Sequence, residues 1–192
     1  SAIEMNKRST DDQESSSGWG SFALVTYLPD PLGSFLTELR HHVPGPDHTV
    51  AHITFLPPRA LSLPVEDASR EIRQRLASVK AFEVELGEVK VFPDTGILYL
   101  ALRGGEEALL ILHGLLNQGG LFAQENFEFT PHLTLGGPLL PNELSATCQQ
   151  VQQAWKAADL SCRFVVSEVV LLWQPEISSG RDWTRMSSYP LL

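Results

Sequence analysis

Apolar positions in this chain switch repeatedly between a period of two and a helical period, and the switches lay out its elements. A strand pattern runs from Ser21 to Tyr27, and Leu32 to about Arg40 reads as a helix behind Pro29-Asp30-Pro31. The turn-rich Val43-Pro44-Gly45-Pro46-Asp47 leads into a strand from about Thr49 to Phe55, expected to stop at Pro57-Pro58. Val65, Ala68, Ile72, Leu76 and Val79 recur at helical spacing behind Pro64. Proline suits a first helical turn because its missing N–H costs nothing there. A long strand is expected from Phe82 to Phe92, with an irregularity at Gly87, before the turn Pro93-Asp94-Thr95-Gly96.

The second half repeats that order. Ile97 to Leu102 reads as a strand, and Glu106 to Asn117 as a helix ending at Gly119-Gly120. A loop follows to Phe129, then a strand from Thr130 to Leu135 and a helix from Pro141 to Ala158. Cys162 to Trp173 reads as a single long strand, and Trp183 to Leu191 as a last one after a turn at Gly180. The pattern predicts an α+β fold: a duplicated, bilobal chain with two antiparallel sheets flanking a central cleft and helices outside, under pseudo-two-fold symmetry. Residues 19–192 are expected to form one such domain, with lobes of about 19–95 and 96–192 between which strands could be exchanged. Residues 1–18 are polar, lack the apolar stretch of a signal peptide and read as a disordered leader, with Met5 a candidate natural start.

Two short segments repeat one another at matching places in the two halves. His52-Ile53-Thr54-Phe55 and His132-Leu133-Thr134-Leu135 are both His, aliphatic, Thr, apolar, and both fall on predicted strands. Side chains at i and i+2 share a strand face about 7 Å apart. Each segment therefore presents an imidazole beside a hydroxyl, with apolar residues behind. From each histidine, the Phe of the following long strand (Phe82, Phe164) comes about 30 residues later. That agreement argues for duplication more than the tetrapeptides do. A half-buried His next to a Thr on one strand is an ordinary coincidence, but a second copy in the corresponding position weighs against it.

The chemistry of such a pair is specific. Imidazole is the side chain best matched to proton transfer near neutral pH, and two of them can hold one neutral and one protonated member. In-line displacement at phosphorus needs a base on one side and an acid on the other, and two hydroxyls between them can steady the non-bridging oxygens. No metal or other cofactor is required.

Composition narrows the substrate. With 14 Lys and Arg against 23 Asp and Glu, the net charge is −9, and no basic run is present. Long nucleic acid is held largely by phosphate neutralisation, so it is not an expected partner. No apolar run approaches the roughly 20 residues of a membrane span, and no membrane partner is expected. The two cysteines, Cys148 and Cys162, form neither a metal motif nor a disulfide framework, which favours a reducing, cytoplasmic setting.

The paired His-x-Thr-x segments, 80 residues apart in a duplicated α+β chain, resemble the two-histidine (2H) phosphoesterase superfamily. Within it the chain is most similar to the bacterial 2'-5' RNA ligase and 2',3'-cyclic phosphodiesterase branch. The likeness extends to Phe22-Ala23-Leu24-Val25-Thr26-Tyr27-Leu28-Pro29, to Leu56-Pro57-Pro58 and to the ending Trp183 through Leu191. It implies that His52 and His132 are catalytic and that Thr54 and Thr134 hold the phosphate; it suggests His132 as the base and His52 as the acid, while the near symmetry of the halves leaves the opposite assignment open. The expected substrate is a small nucleotide or short RNA end with a 2',3'-cyclic phosphate, opened to a 2'-phosphate by a monomer, with 2'-5' ligation as the reverse reaction. The alternative is a binding module that keeps the cleft without turnover.

Other residues are secondary candidates. Arg59 and Arg103 each end or follow a site strand and could reach a phosphate, while Tyr27 and Trp173 could offer a base a stacking face. His48 with His52 and His132 could form a three-nitrogen metal site, but this would leave both threonines unused. His41-His42 and His113 read as surface or structural residues, and the Gly-Gly pairs as turns.

Overall fold

A computed structural model of the chain describes residues 18–45, 49–175 and 183–192. Residues 1–17 of the expected leader, His48 and the Gly180 turn lie outside these segments. Among the described residues, eight strands and four helices follow one another as β1 (Ser21–Tyr27), α1 (Leu32–His41), β2 (His52–Ala60), α2 (Val65–Leu76), β3 (Phe82–Val91) and β4 (Leu98–Gly104), then α3 (Glu106–Leu116), β5 (His132–Gly136), α4 (Pro141–Ala157), β6 (Arg163–Val166), β7 (Glu168–Gln174) and β8 (Thr184–Pro190). A single 3-10 turn, Gly119–Leu121, follows α3. The strands form two antiparallel four-stranded sheets, ordered β2-β1-β7-β8 and β5-β4-β3-β6. This is the expected α+β class. Both sheets draw strands from both halves of the sequence: β3 joins β4 and β5, whereas β7 and β8 join β1 and β2.

Local sequence explains most of the elements. Helix α2 buries Ala68, Ile72 and Leu76, places Glu66 and Asp67 in its first turn and carries Arg73 and Arg75 in its last, matching the helix dipole at both ends. It stops short of Val79 because the backbone there pairs with the end of the chain. Leu192 donates to the Val79 carbonyl at 2.9 Å, and Ala81 donates to the Leu192 carbonyl at 2.7 Å. In α4 the Glu143 carboxylate accepts the Leu140 N–H at the helix start, with Pro141 in the first turn.

Two expectations fail for physical reasons. Strand β2 does not stop at Pro57-Pro58 but runs through to Ala60. It is an edge strand that pairs only with β1, so the missing proline N–H groups need not serve a second neighbour. The register slips opposite them, between Phe22 and Leu24 of β1. The expected long strand from Cys162 to Trp173 is two strands in different sheets. Burial alternates through Phe164 and Val166, then Ser167 and Glu168 are exposed in succession and the phase changes. The chain crosses between sheets at that break. The irregularity expected at Gly87 is present as a register shift between Leu86 and Val89.

Helices α2 and α3 pack on the first sheet, where Ser69 of α2 bonds Tyr189 of β8 at 2.6 Å. Helices α1 and α4 pack on the second, where Trp155 Nε1 donates to the Gly87 carbonyl at 3.0 Å and the Trp155 ring lies 6.2 Å from Phe35. Among the described residues no helix is long and apolar enough to cross a membrane.

Candidate active site

Both His-x-Thr segments sit on sheet edges, and the two edges meet. Strand β2 ends one sheet, β5 ends the other, and they lie against each other at the centre of the molecule. The connection is close-packed: Gly137, just after β5, donates to the Pro44 carbonyl at 2.8 Å. A Cβ on Gly45 (φ +145°) would lie 2.5 Å from the Gly137 carbonyl oxygen, so a larger residue there would push the strands apart.

Alternation sets which side chains reach the cleft. Ile53, Phe55, Leu133 and Leu135 are fully buried, whereas His52, Thr54, His132 and Thr134 are half-buried on the opposite face. Burying each large apolar side chain stabilises the fold by about 1.5–3 kcal/mol. A one-residue slip of either strand would carry its histidine into the core, so hydrophobic burial fixes the site's register.

Backbone carbonyls orient the two imidazoles in the same way. His52 Nδ1 lies 2.7 Å from the Val50 carbonyl oxygen, and His132 Nδ1 lies 2.6 Å from that of Thr130. A carbonyl can only accept, so each Nδ1 carries a proton and each Nε2 is left as the working atom. His132 Nε2 lies 3.1 Å from the Thr134 hydroxyl. Phe92 and Tyr99, stacked 3.9 Å apart, meet the His132 ring edge-on at 5.1 and 5.5 Å. Burial holds the His132 pKa below its ordinary 6.5, with the Thr130 carbonyl acting in the opposite direction.

His52 is held differently. The buried Arg40 of α1 donates to the Val50 carbonyl at 3.2 Å and to Thr49 Oγ1 at 3.3 Å, and its Nη1 lies 3.5 Å from His52 Nδ1. Tyr27, opposite His52 on β1, meets the ring edge-on at 6.2 Å. The Arg185 guanidinium sits 3.9 Å above the Tyr27 ring.

Thr54 from β2 and His132 and Thr134 from β5 line a cleft of about 850 Å³, whose remaining walls come from the β3–β4 turn and the loop before β5. His52 lies on the Thr54 face of β2, at the Tyr27 end and outside this cavity. Among the secondary candidates, Tyr27 therefore lies beside a site histidine. Trp173 does not: it pairs with Phe22 at the other end of β1, and its Nε1 donates to the Trp19 carbonyl at 2.9 Å. Arg103 is also remote from the cleft, 3.7 Å from Glu85 on an exposed sheet face.

Arg59 lines the cleft, but its guanidinium is committed to the protein. It donates to the carbonyls of Pro57 and Leu121, to Asn117 Oδ1 and to Glu125 Oε1, so four of its five N–H groups are taken. Burial lowers its pKa, and the Glu125 contact raises it. His113 completes the cluster. Its Nε2 lies 3.1 Å from Glu125 Oε2, its Nδ1 lies 2.8 Å from the Phe55 carbonyl, and its ring stacks on Phe129 at 3.9 Å. Arg59 and His113 thus brace the loop that forms one wall. His41 and His42 lie beside Glu38 on α1, away from the cleft. Among the described residues no group of three or more His, Cys, Asp and Glu could hold a metal ion.

Comparison with known proteins agrees with this arrangement. No curated protein matches the chain in sequence. The crystal structure of E. coli LigT complexed with 3'-AMP superimposes with a TM-score of 0.64 at 17% identity, covering 90% of this chain and 98% of that one. TT0787 of Thermus thermophilus gives 0.57 at 17% identity, over 89% and 97%. Kluyveromyces marxianus Usb1 gives 0.57 at 14% identity, over 91% and 99%. At these identities the structures share the fold. The family model of the 2'-5' RNA ligase superfamily matches residues 28–176, a span that includes both His-x-Thr segments. The chain therefore belongs to the 2'-5' RNA ligase superfamily, the two-histidine phosphoesterases.

Proposed function

We propose that this protein is a metal-independent phosphodiesterase that opens 2',3'-cyclic phosphates of nucleotides or short RNA ends to 2'-phosphates. One observation carries the reading: two imidazoles on adjoining edge strands are each held through Nδ1 by a backbone carbonyl, and each has a threonine two residues further along the same face. Thr54 and Thr134 hold the non-bridging oxygens. His132, whose pKa is lowered by burial, is neutral at pH 7 and takes a proton from the attacking water. Oxygen of that water bonds to phosphorus as the P–O3' bond breaks, and His52 gives its proton to the departing 3' oxygen. With a 5' hydroxyl in place of water as the nucleophile, the same acid and base would open the cyclic phosphate into a 2'-5' linkage, so 2'-5' ligation uses the same chemistry.

The fold neighbours support a small ligand. E. coli LigT has been crystallised with 3'-AMP and with phosphate. A net charge of −9 and a cleft whose cation is internally paired also favour a nucleotide or short end over long RNA. The proposal extends to a monomer acting in the cytoplasm, a setting that the two free cysteines favour. The test is a screen of the four 2',3'-cyclic nucleotides beside 2'-5'- and 3'-5'-linked dinucleotides, in EDTA. Turnover of a cyclic nucleotide to its 2'-phosphate is expected. Binding without turnover would make the protein a nucleotide-binding module, and activity lost in EDTA and restored by zinc would require a metal site involving His48.

A further inference from the structure

The walls of the cleft have a chemical character that the histidines and threonines do not explain. Phe92, Phe127 and Phe129 line it, and Phe127 keeps 76% of its surface exposed, an unusual state for a large apolar ring. Asp94 and Glu128, both exposed, line the same cavity, as does Glu125. Arg59 is the only Lys or Arg among the described residues that line the cavity, and Glu125 lies against it. A phosphate held by Thr54 and Thr134 would therefore be the only anion the site is built to accept.

We propose that this cleft selects substrates with a single phosphate, and that Asp94, Glu128 and Phe127 determine that specificity. The inference rests on the cyclic-phosphate reading of the histidine pair and narrows its substrates from nucleotides or short RNA ends to mononucleotides. The neutral nucleoside part of the ligand lies against Phe127, because an aromatic face accepts any base without needing a cation. A second phosphate would bring a charge of roughly −1.5 to −2 into the same cavity. There it would face two carboxylates, with low-dielectric walls on either side and no unpaired lysine or arginine among the described lining residues to balance it. Nucleosides with a cyclic phosphate and a free 5' hydroxyl fit this description. The same nucleosides phosphorylated at the 5' position do not.

The test compares 2'-AMP with adenosine 2',5'-bisphosphate as ligands by calorimetry, and 2',3'-cyclic AMP with its 5'-phosphorylated form as substrates. The single-phosphate member of each pair is expected to be favoured by at least about tenfold, a modest effect for like charges in a shared cavity. In the Asp94→Asn, Glu128→Gln double variant the preference should shrink to about twofold or less, with 2',3'-cyclic AMP still turned over. Phe127→Ala should weaken 2'-AMP binding by roughly 5- to 100-fold, the range for loss of one base-stacking ring. It should leave the turnover of ethylene cyclic phosphate, which has no base, unaltered. Equal or tighter binding of the bisphosphate, or a preference that persists in the double variant, would overturn the inference and leave the catalytic reading standing. A binding preference without any turnover would instead strike the catalytic reading and leave the selectivity intact.

Discussion

The Nε2 atom of His132 lies 3.1 Å from the hydroxyl oxygen of Thr134, two residues further along β5. Because Nδ1 of the same ring donates to the Thr130 carbonyl, the hydroxyl is the donor in this contact. In the proposed mechanism, the atom that takes a proton from water is thus covered at rest by the hydroxyl that turns toward the phosphate. Thr134→Val is expected to lower kcat by about 100-fold, the typical cost of one lost transition-state donor, with a smaller change in KM. Thr134→Ser, which keeps the hydroxyl, should retain most of the activity. A change confined to KM would limit Thr134 to binding the ground state.

Removing either imidazole should be severe and should leave the fold intact. His52→Ala and His132→Ala are each expected to reduce turnover by at least about 100-fold, since a positioned acid or base contributes 10²–10⁴-fold. Both side chains are half-buried on the strand faces opposite the core residues, so circular dichroism should be unchanged. The double variant should be little worse than either single one, because acid and base act as a unit. Full activity in either single variant would remove that histidine from the mechanism.

The environment of His132 fixes a direction for the pH dependence. Burial lowers its pKa from the ordinary 6.5, so the neutral form needed in a base persists into mildly acidic solution. The acid limb of kcat/KM is therefore expected below pH 6.5, although the two limbs belong to the coupled pair. Stability follows the same sign. Above 6.5 the ring is neutral in both folded and unfolded chains, and its contribution is complete. As the pH falls below that value the unfolded chain takes up a proton that the fold resists, and stability declines. Urea titrations across pH 5–8 should show a decline in the wild type that His132→Gln reduces.

The part of this site that the sequence reveals is the part governed by strand alternation. His52, Thr54, His132 and Thr134 were legible because fully buried Ile53, Phe55, Leu133 and Leu135 separate and follow them, and because the pattern occurs twice. Residues that reach the site through tertiary packing were not. Arg40 reads as an ordinary basic helix end, yet it is 1% exposed and braces the approach to His52. Its only signal is a cation on the face that also carries Leu36 and Leu39. Glu125 lies in a segment without periodicity, and its partners Arg59 and His113 come from β2 and α3. The split between β6 and β7 was hidden by a run of valines that looks continuous until the exposed pair Ser167 and Glu168 is seen.

Arg59 offers a test of structure against chemistry. Its guanidinium is buried, and four donors hold the wall loop through Asn117, Leu121, Glu125 and Pro57. Removing one partner of such a buried pair typically costs about 3–5 kcal/mol, because the other charge is left without compensation. Arg59→Ala is expected to destabilise the protein on that scale in urea denaturation. Arg59→Met with Glu125→Gln, which removes both charges, should recover much of the loss. Activity that falls with no loss of stability would instead place Arg59 on the substrate.

The acid and base assignments can be separated by the leaving group. In the proposed direction, His52 protonates the 3' oxygen as the P–O3' bond breaks, and His132 activates water on the opposite side. An alcohol that departs readily needs no proton at that moment. A phosphodiester with p-nitrophenolate as the leaving group in place of the 3' alkoxide should therefore be turned over by His52→Ala at a rate within about tenfold of the wild type, whereas His132→Ala should remain at least about 100-fold impaired. The wild-type product from a 2',3'-cyclic nucleotide should be the 2'-phosphate, identified by phosphorus NMR. The roles are reversed if the activated substrate rescues His132→Ala and not His52→Ala. That outcome would also give the lowered pKa of His132 a different meaning, since a buried imidazole that resists protonation is a poor reservoir for the proton an acid must supply.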